Sequence, residues 1–204
     1  EDIGGVNGAL ARRADELYSQ LDQAGQSAAR QVFLRLVALG EGSEDTRRRV
    51  RLEELEAKNQ TPSSTNHAPE HGSRFAVRSA VSAVLNAYGA ARLLTFDHDP
   101  VTRVPTVEVA HEALIRTWGR LRAWIDESRD ALRVQRRLTA ATAEWVAHGY
   151  SSSFLASGGP LEQFVALAEA GTLAINAEER AYFEASTLER DRHEVAERER
   201  QQRE

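Results

Sequence analysis

The chain has 204 residues, 41% of them apolar and 28% charged, with a formal net charge of −5. This is the composition of a globular protein large enough to bury a core unaided, and its acidic balance is the wrong sign for a protein built mainly to hold a polyanion. Cysteine is absent, which excludes a disulfide framework, thiolate metal sites and cysteine nucleophiles.

Methionine is also absent, so the chain is expected to be a piece of a longer translation product. Lys58 is its single lysine, a bias expected of a GC-rich bacterial genome. No apolar run reaches the roughly 18–20 residues of a membrane span, and no signal-peptide pattern opens the sequence.

The first third reads helical. Leu10, Ala14, Leu17, Tyr18 and Leu21 recur at intervals of three and four, predicting a helix over 8–21. Asp22 to Gly25 reads as a break, and a second helix is expected over 26–39 with Gly40 as its stop. A polar turn, 41–46, leads into Arg47, Arg48, Arg49 and Arg51 around Val50, and 52–57 reads as a short helix. Residues 59–73 carry almost nothing to bury and read as a mobile surface loop within a domain. The third main helix is expected over 75–88, ended by Gly89.

The clear β signal follows. Residues 91–97 and 104–110 flank an Asp- and Pro-rich turn and read as a hairpin, with Pro105 at an edge or ahead of the ladder. At His111 the period changes from two to 3.6. Ala113, Leu114, Trp118, Leu121, Ile125, Leu132, Leu138 and Trp145 predict one long helix, or two nearly continuous ones bending near 126–130. Two more helices are expected over 161–170 and 176–188, then a charged helical tail. The order helix, helix, short strand, short helix, helix, hairpin is that of a winged helix. The expected fold is mainly α: a helical lid segment over 1–25, a winged-helix domain over 26–128 with the hairpin as its wing, a helical extension over 129–188 and a tail over 189–204.

Catalytic and metal motifs are missing. There is no Gly-x-x-x-x-Gly-Lys-[Ser/Thr] phosphate loop and no Gly-x-Ser-x-Gly elbow. His111-Glu112 and His193-Glu194 begin like zinc-helix motifs, but Ile115 and Glu197 stand where the second histidine would be. A winged helix raises DNA reading through its third helix. Here that helix offers Arg74, Arg78, Ser79, Ser82 and Asn86, the wing adds Arg103, and the Arg47–Arg51 knot has Glu41, Glu44 and Asp45 nearby to neutralise it. Six to ten phosphate contacts are hard to assemble from this set. The three tryptophans sit at spacings suited to burial, and Arg116 is spaced to pair with Glu112.

Several segments together carry a family resemblance: Ile3 to Leu10, Val32 to Val37, Glu44 to Val50, Ala91 to Leu94, and above all Val107 to Trp118 with Leu121 to Ile125. They are similar to the C-terminal part of the bacterial novel STAND NTPases, signal-transduction ATPases with numerous domains. The resemblance implies a non-catalytic regulatory arm in a cytoplasmic protein. A P-loop ATPase core in the same chain would precede it, sensor repeats or a membrane segment would follow, and activation would bring homo-oligomer formation. No cofactor is expected in this piece; ADP or ATP with Mg would belong to the parent chain. In the wider STAND class a Met-His-Asp-Leu stretch brings its His to the ADP β-phosphate. Ala110-His111-Glu112-Ala113-Leu114 lies at the equivalent junction, with Ala for Met and Glu for Asp. The resemblance thus makes His111 the nucleotide-sensing residue. Its expected place at a helix N-terminus would suit a neutral imidazole donating to a phosphate oxygen. The other open readings are a winged-helix DNA-binding regulator and a plain helical scaffold, with nucleic acid the less expected partner.

Overall fold

The computed structural model describes residues 5–40, 42–56 and 71–203, with backbone alone for Val6, Glu56 and 71–79. It is mainly helical with small antiparallel sheets and divides into two compact units, Glu1–Arg129 and Asp130–Glu204.

In the first unit, α1 (Gly5–Gln20) buries Ala14 and Leu17, two members of the expected stripe. The expected break is only two residues long. Asp22 caps α2 (Gln23–Arg35) by accepting the Gly25 amide at 2.7 Å, so Gly25 lies inside the helix. This helix ends earlier than its apolar pattern predicts. Leu36 is its C-cap, and Val37 and Ala38 leave to form β1 (Val37–Ala38), paired antiparallel with β2 (Thr46–Arg47). Val37 is fully buried in the strand, and a short apolar run of this kind does not by itself separate helix from strand. Gly40 closes this small hairpin, because any side chain there would collide with the Ser43 and Glu44 carbonyls.

The main sheet has the order β3–β5–β4, built from β3 (Val50–Arg51), β4 (Leu94–His98) and β5 (Pro105–Val109). Val107 pairs with both Val50 and Phe96. Pro105 opens the central strand, where its missing N–H costs little ladder. Residues 91–93, expected in the strand, form the turn before it, with Arg92 in the left-handed region at φ 58°.

Between β3 and β4 lie α3 (Leu52–Glu56) and α4 (His71–Ala90). The loop expected over 59–73 lies outside the described residues up to 70, and 71–73 are already helical. Gly89 does not end α4. It sits within it because a Cβ there would come within 2.7 Å of the Phe96 ring on β4. One aromatic cluster organises the core: Trp118 meets Phe33 edge-on at 4.9 Å and Trp124 at 5.5 Å, and Phe33 meets Tyr88 at 4.9 Å.

The long helix expected from His111 is two. α5 (Ala113–Thr117) is a single short helix, broken where Trp118 turns to an extended ψ of 98°, and α6 (Gly119–Ala147) then runs unbroken through the predicted bend at 126–130. Its break is fixed by anchoring: Trp118 is fully buried, and its indole N–H donates to Asp15 on α1 at 2.9 Å. Arg120 reaches the same carboxylate at 2.8 Å while its guanidinium lies 4.3 Å over the Tyr18 ring.

In the second unit, the end of α6 packs with α7 (Gly158–Ala170) and α8 (Ala177–Gln201) around Leu138, Trp145, Leu161, Phe164 and Tyr182. Asn176 and Glu179 form a reciprocal capping box at the start of α8, each bond 2.8 Å. Beyond Ser186 that helix is a charged rod, with Leu188 and Val195 exposed. Among the described residues, no helix is long and apolar enough to cross a membrane.

Candidate functional site

His111 lies two residues past the end of β5, after Ala110. The Ala110 amide donates to Leu93 O at 2.9 Å, tying the end of β5 to the turn ahead of β4, and the His111 carbonyl accepts the Leu114 amide at 2.9 Å. The backbone is therefore held on both sides of an exposed side chain. Among the described residues the imidazole has no hydrogen-bond partner. The expected helix-terminus field is another matter. α5 has five residues, too short for an aligned macrodipole, and its N-cap Glu112 has helical dihedrals and no side-chain capping bond. What His111 offers an anion is its own ring.

Arg116 pairs with Glu112 as its spacing suggests, at 3.7 Å, but its shorter contact is to Glu44 at 2.6 Å. That contact opens a cleft of about 240 Å³, lined by Ser43, Glu44, Asp45, Ile115, Arg116, Arg122 and Arg129. Three elements build it. The 43–45 turn lies within the small hairpin, between β1 and β2, Ile115 and Arg116 come from α5, and Arg122 and Arg129 lie seven residues apart on one face of α6.

The two carboxylates have different duties. Asp45 grips Arg129 through two bonds, 3.1 and 2.8 Å, and also accepts the Gly40 amide at 2.9 Å. Those bonds, led by the one from Arg129 and aided by the Arg122 charge, outweigh partial burial and hold its carboxyl below the usual range. Glu44 is mostly exposed and holds Arg116 from the solvent side. Periodicity along α6 puts Arg122 and Arg129 on a common face, but gives no sign that the 43–45 turn would meet them.

The arginine knot of residues 47–51 is paired with carboxylates, and among the described residues its partners are not Glu44 or Asp45. Arg48 binds Glu54 at 3.0 Å, and Glu54 also binds the buried Arg35 at 2.9 Å. Arg49 lies 3.2 Å from Glu108 and 3.7 Å from Asp97, Arg47 lies 3.9 Å from Glu108, and Arg51 pairs with Glu53 at 3.7 Å. Glu44 and Asp45 serve Arg116 and Arg129 instead, and Glu41 lies outside the described residues. On α4, Ser82 and Asn86 are exposed, whereas the side chains of Arg74, Arg78 and Ser79 lie outside the described residues. The three tryptophans are all core residues. No group of three or more His, Asp or Glu among the described residues is placed to hold a metal ion.

The family model described as Novel STAND NTPase 1 matches residues 1–153. No curated protein and no solved structure matches the chain.

Proposed function

The chain belongs to the novel STAND NTPase 1 family, and from that membership we propose that it is the regulatory arm of a nucleotide switch rather than its motor. Residues 26–128 act as a winged helix, with β4–β5 as the wing, that folds over the ADP-bound ATPase core of the parent chain and holds the inactive state. The helices from residue 129 onward connect that arm to a sensor. The arm itself performs no catalysis.

The observation that carries this reading is the exposed His111 imidazole on a backbone fixed at the β5–α5 junction. ADP in the parent chain supplies the charged phosphate that tells the closed state from the open one. In the closed state the His111 ring donates a hydrogen bond to a phosphate oxygen, and it loses that contact when the arm swings away. A hydrogen bond to a charged group is worth about 1.5–3 kcal/mol, or roughly 10- to 150-fold in affinity. A contact made in only one state is what lets a ligand bias a switch. The pairing of Arg47, Arg48, Arg49 and Arg51 with carboxylates favours this reading over DNA binding.

The test is the nucleotide retained by the purified parent chain, released by denaturation, in wild type and His111→Ala. ADP in the wild type with clear loss in the variant is the expected result. Equal ADP in both would take His111 off the phosphate, and no ADP in the wild type would remove the ADP-held resting state.

A further inference from the structure

We infer that the cleft between the 43–45 turn, α5 and α6 is a binding site for a small free oxyanion of the phosphate class, and that Glu44 is its tethered competitor. Three guanidinium groups line this one concavity, about 240 Å³ in volume. That is well above the roughly 10–15 Å³ that a single water needs, and leaves room for a small oxyanion such as pyrophosphate.

The three arginines are not equally occupied. Arg129 is bound on two nitrogens by Asp45, which is itself bonded to the Gly40 amide, so that pair belongs to the architecture of the turn. Arg116 is held by Glu44, whose side chain is 69% exposed, and lies 3.7 Å from its weaker partner Glu112. Exposed ion pairs of this kind are weakly held, and a multivalent anion can replace one. The Arg122 guanidinium makes no hydrogen bond or ion pair among the described residues, and its charge acts on Asp45 only through space. An incoming oxyanion would therefore take Arg122 and, as Glu44 swings to solvent, Arg116. The guanidinium forks match phosphate oxygens in pairs. Among the described lining residues Ile115 is the one apolar side chain and none is aromatic, so a nucleoside base would find no aromatic ring to stack on. This site is independent of the contact proposed for His111.

The experiment is calorimetric titration of the 204-residue chain with sodium pyrophosphate, against succinate and sodium chloride at matched ionic strength. Wild type, Arg122→Gln, Glu44→Gln and His111→Ala are compared, each first shown to keep its circular dichroism spectrum. Saturable pyrophosphate binding is expected. Arg122→Gln should weaken it about tenfold or more, Glu44→Gln should tighten it about two- to fivefold, and His111→Ala should leave it unchanged. Amide shifts in the wild type should centre on residues 43–45, 116 and 122, which reads the site without any substitution. Failure to saturate, equal affinity in Arg122→Gln, or unchanged or weaker affinity in Glu44→Gln would overturn the proposal. Succinate binding as tightly as pyrophosphate, or ADP binding much more tightly, would overturn the ligand class. Loss in His111→Ala would instead move the anion to the His111 junction.

Discussion

At Trp118 one side chain does two jobs. Its ring fills the centre of the first unit's aromatic cluster, and its N–H satisfies the Asp15 carboxylate. Burial pushes Asp15 up, but hydrogen bonds from Trp118 and Arg120 and the Arg120 charge pull it further down, leaving it below the ordinary range. Trp118→Phe keeps much of the apolar surface, removes the N–H and leaves a gap beside Phe33. We expect a loss of about 2 kcal/mol in urea unfolding, in line with a hydrogen bond to a charged group plus a small cavity. A double-mutant cycle with Asp15→Asn should show a coupling of at least about 0.5 kcal/mol. Additive losses would mean that the bond contributes nothing beyond packing. The aromatic spacing made Trp118 legible as core. Its carboxylate partner lies 103 positions away in sequence, and no local pattern announces it.

Elements show where periodicity works and where it fails. α1, α4, α7 and α8 were readable because each carries an apolar stripe at helical spacing. α2 stopped short because Val37 and Ala38 gain ladder bonds with Arg47 and Thr46, and a pairing ten residues away does not show in a local stripe. The break at Trp118 was hidden for a related reason: both flanking segments have helical periodicity, and only the anchoring of the indole on α1 interrupts them. α8 begins where its sequence says it should, since Asn176 and Glu179 have capping-box spacing. Both residues are buried there. Asn176→Ala should therefore cost the second unit about 1–2 kcal/mol, read as a lowered urea midpoint with unchanged slope. A shift below about 0.3 kcal/mol would show that Glu179 alone holds the helix start.

At the scale of the whole first unit, carboxylates whose folded-state pKa is depressed contribute to the acid limb of stability. Asp45 and Asp15 both lie below 3.8 when folded, so below that value the unfolded chain binds more protons than the native one. Their contribution is complete above about pH 4 and is lost as pH falls through the depressed folded-state values. Thermal melts from about pH 6 to pH 2 should show Tm falling through the acid end of that window. Asp45→Asn should lower Tm at neutral pH and flatten the fall, because the amide cannot titrate. An equally steep limb in the variant would place the titration on other carboxylates.

Chain-wide features divide along the same line. Composition and periodicity were enough for a mainly helical protein with a hairpin and for core tryptophans, while the family was reached through the resemblance of several segments, above all the run from Val107 to Trp118. Those properties are local in sequence, since each element states its own apolar face and its own caps. The ends of α2 and α5, the partners of the arginine knot and the cleft at Arg116, Arg122 and Arg129 were settled by contacts between distant segments. Charge makes the difference sharpest. A guanidinium binds whichever carboxylate the packed backbone brings within about 4 Å, and among the described residues that is Glu53, Glu54 or Glu108 for the knot, not Glu44 or Asp45.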